Sequence, residues 1–156
     1  MKFNLKAVML ILGVIFIVIQ GYRPNKNVQE VQSKYDFLIS KKAPKSIAIL
    51  LKNSCYDCHS NHTNYDWYDN IAPISWFVDN TIKNGKDVLN FSDWETTTLL
   101  SKKIAITAIP FDISKNKMPK KRYLLMKSNA RMSDKDKKQV IDWIHSVKSN
   151  MIWDEP

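Results

Sequence analysis

The sequence predicts an all-α domain behind an apolar N-terminal helix. Three observations carry this. Apolar residues recur at helical spacing in several segments; Pro44 and Ser133 stand where helices start; strand-like alternation is sparse and no internal repeat is present. The chain has 156 residues. The residues beyond position 22 are enough for one domain with one core.

The N-terminal element comes first in order. Lys2 and Lys6 flank the start of the apolar run 7–19, and the polar stretch 20–24 closes it. A positive start and an apolar run of this kind mark an export signal. No A-x-A-like cleavage site and no lipobox cysteine come after it. An uncleaved signal-anchor over residues 1–22 is therefore favoured over a cleaved signal peptide, although the run is short for a full span of roughly 20 residues. Either reading sends the chain out of the cytoplasm. It would be anchored in the inner membrane and face the periplasm, or be released into it.

Residues 23–43 read as a tether, 25–27, and a short amphipathic helix carrying Val28, Val31, Tyr35 and Leu38. The main domain is expected over 44–150. Pro44 opens a helix whose face holds Ile47, Leu50, Leu51 and Ser54, and Cys58 continues that stripe. Residues 61–70 lack a helical period and read as a loop. A helix is expected over 71–84, with Pro73 in its first turn and Gly85 breaking it. Ser92 and Glu95 form a capping-box pattern, which predicts a helix over 93–109. Residues 110–119 read as a loop. Ser133 and Asp136 start the last helix, which buries Val140, Ile141, Ile144 and Val147, with Trp143 beside them.

The formal net charge is +9, and the first 22 residues hold two of the 24 basic residues and no acid. The excess of lysine is scattered rather than gathered in one arm. It reads as a solvated basic face or as a docking patch for an acidic redox partner. Nucleic acid is not an expected partner of an exported chain.

The chemistry concentrates at Cys55-Tyr56-Asp57-Cys58-His59, which holds both cysteines of the chain. C-x-x-C-H is the attachment sequence for c-type haem. Cysteines three apart on a helical turn share one face, about 5–6 Å apart at Cβ, which suits two vinyl groups on one haem edge. The histidine then supplies one axial nitrogen. A thioredoxin-type dithiol needs a βαβ setting that this sequence lacks. A zinc site would need its remaining ligands from His59, His62 and His145 without another cysteine. The context favours one covalently attached haem.

A closed electron-transfer site needs a second axial ligand. Met118 is the leading candidate: it lies in a lysine-rich loop, where a methionine lacks a core role, and it precedes Pro119. Proline restricts the residue before it to extended conformations. Met126 and Met132 read as packing residues. His62 is too close in sequence to His59 to reach the opposite face of one haem, and His145 is the fallback. A His/Met pair raises the haem potential and closes the iron to added ligands.

With these residues in view, the chain resembles the bacterial haem-binding-domain family of small exported monohaem c-type cytochromes. The resemblance rests on 55–61, Thr63, Tyr65 and Trp67-Tyr68, on Ile71-Ala72-Pro73-Ile74-Ser75-Trp76, and on Gly85. It continues through Leu89-Asn90-Phe91-Ser92-Asp93-Trp94, Met118-Pro119, Tyr123 and the helix from Ser133 to Trp143. It covers most of 44–145 and is most specific over 55–76. It implies a cytochrome c-like helical fold, thioether links at Cys55 and Cys58, and iron ligation by His59, with Met118 opposite. One departure is Asp66, where the family pattern has proline, and a looser loop is expected there. Tyr65, Trp67, Tyr68, Trp76 and Trp94 either wall the haem or are ordinary core, and their density directly after the motif favours the wall. The expected function is electron transfer rather than independent catalysis. No Ser/His/Asp set, nucleotide loop or carboxylate pair stands out. The alternative is a haem sensor, haem enzyme or accessory domain with an open distal site.

Overall fold

A computed structural model of the chain describes residues 4–29 and 33–151. Their regular structure is helical apart from one antiparallel bridge between Val28 and His62, as the apolar spacing predicts. The α-helices among the described residues are α1 Leu5–Ile19, α2 Phe37–Ser40, α3 Lys45–Leu51, α4 Asp57–His59, α5 Ile74–Val88, α6 Leu99–Ser114, α7 Lys121–Met126 and α8 Asp134–Ser149.

The core forms where α6 and α8 pack together, with α3 laid on α8 and α2 against the 3-10 turn Phe91–Thr96. Its centre is aromatic. The Phe37 ring lies 4.6 Å from Trp94, 5.3 Å from Phe91 and 5.4 Å from Trp143, centroid to centroid. Phe37, Phe91 and Trp94 are almost fully buried, as are Leu51, Ile106, Val140 and Ile144. Burying each such side chain stabilises the fold by about 1.5–3 kcal/mol.

Helix α8 matches its sequence signals. Ser133 and Asp136 form the reciprocal cap, and Val140, Ile144 and Val147 face inward. Pro44 precedes α3 as expected, and Ile47 and Leu51 are buried. A π-helical turn, Lys52–Tyr56, then joins α3 to α4. The wider turn shifts the facing of the side chains, so Ser54, Tyr56 and Asp57 are buried and the cysteines are half-buried. Such turns are frequent at functional sites.

Several expectations are corrected. Val28 is not helical: its neighbours Gln29 and Asn27 pair with Asn61 and Thr63 through backbone bonds of 2.9 and 2.8 Å. Val31 lies outside the described residues. The helix there shortens to α2, capped by the Asp36 carboxylate on the Leu38 N–H. The stretch 25–27 is not a free tether, because Asn27 bonds Tyr65, Ser60, Thr63 and Lys86. Within 61–70, Trp67–Asn70 forms a 3-10 turn, and Asp66 and Asp69 cap each other reciprocally. Capping therefore replaces the stiffness expected of proline at Asp66. Ser92 and Glu95 do not cap a helix together. The Ser92 hydroxyl accepts from the Asn61 N–H and Glu95 binds Lys41 and Lys102. Thr98 caps α6 instead, and α6 runs through Pro110 to Ser114.

Gly85 lies inside α5, which continues to Val88. A Cβ at Gly85 would stand 2.4 Å from the Cys58 carbonyl oxygen. The glycine therefore marks close contact between two backbones.

Helix α1 buries none of its residues and is apolar all round. Its 15 residues extend about 22 Å, against about 30 Å for a bilayer core. Among the described residues, no helix is long and apolar enough to cross a membrane. The end of α1 is fastened to the domain. The Gln20 side chain both donates to and accepts from the Ala72 backbone, at 3.1 and 3.0 Å, and the Trp76 indole N–H donates to the Tyr22 carbonyl.

Candidate haem-binding site

Cys55 lies in the π-helical turn, Cys58 on α4 and His59 at its C-terminal end. Both thiols are free and half-buried. Burial, then the neighbouring Cys58, pushes Cys55 up to about 12. Burial, then the Asp57 carboxylate, pushes Cys58 up to about 11. Both are thiols rather than thiolates at neutral pH.

The His59 ring is oriented from behind. Its Nδ1 is 3.0 Å from the Leu89 carbonyl oxygen. A carbonyl only accepts, so Nδ1 carries a proton, and in the neutral ring Nε2 carries none. Burial lowers the His59 pKa, and Lys120 acts in the same direction, against the Leu89 and Gly85 backbone carbonyls. A neutral imidazole with one nitrogen hydrogen-bonded and the other free is the form that ligates metals. The Phe91 ring meets His59 at 6.3 Å with an interplanar angle of 68° and stacks on Tyr56 at 5.1 Å. The Tyr56 hydroxyl donates to buried Asp36 at 3.0 Å.

Beside Gly85, helix α5 presents Phe77, Thr81 and Val88 along one face. Phe77 is 49% and Val88 83% exposed. Helix α5 thus leaves two apolar side chains exposed along this face. A haem fits the chemistry of the motif: two free thiols three residues apart and an imidazole oriented through Nδ1.

Met118 lies in the turn after α6, partly buried, and its bond to Pro119 is cis. Its N–H donates to the Asp112 carbonyl at 3.3 Å. The residues after it reach the motif: Lys120 acts electrostatically on Cys58 and His59, and the Tyr123 hydroxyl donates to Asp57 at 2.8 Å. Met118 thus belongs to the segment that crosses the motif. Of the other candidates, Met126 lies in the same segment, on α7. His62 is exposed and bonds Gln29 through Nδ1, and His145 is exposed on α8. Met132 is buried in the core cluster, whereas Met126 is 49% exposed.

A model described as a haem-binding domain matches residues 14–146. The chain belongs to the haem-binding domain family. No curated protein and no solved structure matches it. The family match begins inside α1, upstream of the Gln20–Ala72 contact.

The expected aromatic wall of this haem-binding domain is divided. Trp94 is core, Trp67 is 76% exposed, and Trp76 packs near Tyr22 with centroids 6.0 Å apart. Phe91 touches His59 instead. It stands in the sequence beside Trp94, but its contact arises from folding. Sequence reasoning misses Leu89 and Lys127, and it treats Asp57 only as a spacer between cysteines. Leu89 acts through its carbonyl, which no side-chain pattern reports.

Proposed function

We propose that the protein is an exported monohaem c-type electron carrier. Cys55 and Cys58 carry thioether links and His59 Nε2 ligates the iron. Met118 supplies the second axial ligand. The observation that carries this reading is the His59 ring held through Nδ1 by the Leu89 carbonyl, beside two free thiols three residues apart. Bound haem supplies a one-electron couple; the chain supplies orientation and burial. Raised thiol pKa values keep the cysteines protonated until attachment. Cys55 and Cys58 would hold the haem through thioether bonds, formed by addition of each S–H across a vinyl group with no net redox change.

The exposed apolar helix α1 serves as export segment and tether at the periplasmic face of the inner membrane. The Gln20 contacts with Ala72 support its retention with the domain. The basic surface suits an acidic redox partner.

The test uses the exported protein. On a denaturing gel, haem stain should be present in wild type and lost in the Cys55→Ala/Cys58→Ala variant. Reduced wild type should bind carbon monoxide poorly and Met118→Ala readily. Ready binding by wild type would replace the closed carrier with an open-site sensor or enzyme.

A further inference from the structure

Asp57 stands between the motif cysteines and is 5% exposed. Its Oδ1 accepts from the Asn64 backbone N–H at 2.9 Å and the Asn64 side chain at 3.3 Å. Its Oδ2 accepts from the Tyr123 hydroxyl and the Lys127 ammonium, each at 2.8 Å. A carboxylate offers about four lone-pair sites, so this one is saturated.

Both donors on Oδ2 come from residues 118–127. That arm has little apolar hold, because α7 contains no buried residue. Its other contacts with the motif region are polar as well. Tyr123 donates to the Asn53 carbonyl at 3.2 Å and Lys127 to the Asn64 carbonyl. Past its end, the Ser54 hydroxyl donates to the Ala130 carbonyl at 2.8 Å. Lys127 is only 13% exposed at its side chain. Burial disfavours its charge, yet the Asp57 bond and charge hold its pKa above the ordinary value. Burial and then Asp57 raise the Tyr123 pKa, so it stays a donor.

We propose that Asp57 is a latch whose grip on Lys127 and Tyr123 holds the 118–127 arm across the motif and keeps Met118 on the second side of the iron. Lys127 and Tyr123 are positioning residues. The latch rests on the Met118 reading under Proposed function. Charge-assisted hydrogen bonds are about twice as strong as neutral ones, and here they stand where apolar packing is missing. Without both donors, the arm swings away while the motif, held by the core, stays folded.

The experiment uses the haem-loaded full chain. Variants are Lys127→Met, Tyr123→Phe, their combination, Lys127→Arg, and Asn64→Ala as a control that touches Asp57 from outside the arm. The readouts are the ferric methionine-to-iron charge-transfer band, carbon monoxide binding to reduced protein, and the haem-stained gel. The double variant should lose the band, keep the stain, and bind carbon monoxide at least about tenfold more tightly, as the open fraction grows. Tyr123→Phe should show a smaller gain with an unchanged helical circular dichroism spectrum. Lys127→Arg and Asn64→Ala should keep the wild-type band. A double variant that keeps the band overturns the latch. So does loss of the band in Asn64→Ala, or of the stain in the double variant, since either assigns Asp57 to motif folding. A wild type without the band overturns the Met118 reading itself.

Discussion

The two flanks of the haem motif are built by opposite means. On the His59 flank, one hydrogen bond to Leu89 sets the ring and the remaining contacts are apolar and steric: Phe91 lies between Tyr56 and His59, Gly85 abuts the Cys58 backbone, and the Phe37–Trp94 cluster backs them. On the other flank α7 has no buried residue, and the buried Asp57 carboxylate accepts from both Tyr123 and Lys127, with Asp66 also 3.5 Å from Lys127. Apolar packing cannot be released piecemeal, because each lost contact leaves a void. A polar latch can open with the core intact. The His59 side of the motif is therefore set mainly by the fold, and the α7 arm by a few hydrogen bonds.

The largest expected break in this contrast is in the core. Trp94→Ala should cost about 3–5 kcal/mol, measured by urea unfolding, and haem incorporation should fall with it. A cost below about 1 kcal/mol would mean that the aromatic cluster does not hold the His59 flank.

Gly85→Ala should come next. Its new Cβ would stand 2.4 Å from a backbone oxygen, so α4 and α5 must separate. A loss of about 1–3 kcal/mol is expected, together with a lower yield of stained protein from the displaced His59–Leu89 contact. An alanine variant with unchanged stability and yield would show that the two helices do not need this approach.

The smallest effect concerns Glu95, which links Lys41 after α2 to Lys102 on α6 at 2.6 and 3.2 Å. Burial alone would raise its carboxyl, but the two lysines and Ser40 hold it at about 2, below the ordinary 4.5. A depressed carboxylate contributes stability that is present above pH 4.5 and lost as pH falls toward about 2. After solvent screening, wild type should lose about 1 kcal/mol over that window relative to Glu95→Gln. Urea midpoints of both proteins across this range provide the check, and parallel pH profiles would remove Glu95 from the core's account.

Much of the fold was legible where the signal is local. Pro44 and the Ser133–Asp136 cap marked α3 and α8 because capping is completed within a turn of chain. Ser92 and Glu95 misled because both side chains bind distant partners, Asn61 and two lysines, in place of the local cap. Gly85 misled for a similar reason: its lack of a side chain serves a crossing helix and not a chain break.

By itself, the sequence determined the likeness to the haem-binding family, the helical class and the apolar N-terminal segment, since spacing and composition encode each within short windows. Tertiary structure alone decided that Leu89 sets the His59 tautomer, that Phe91 backs the ring, and that Asp57 gathers Lys127 and Tyr123. Those pairings join residues about 30 to 70 positions apart. Hydrogen bonds and ring contacts depend on where folding brings the atoms, and no local pattern specifies that.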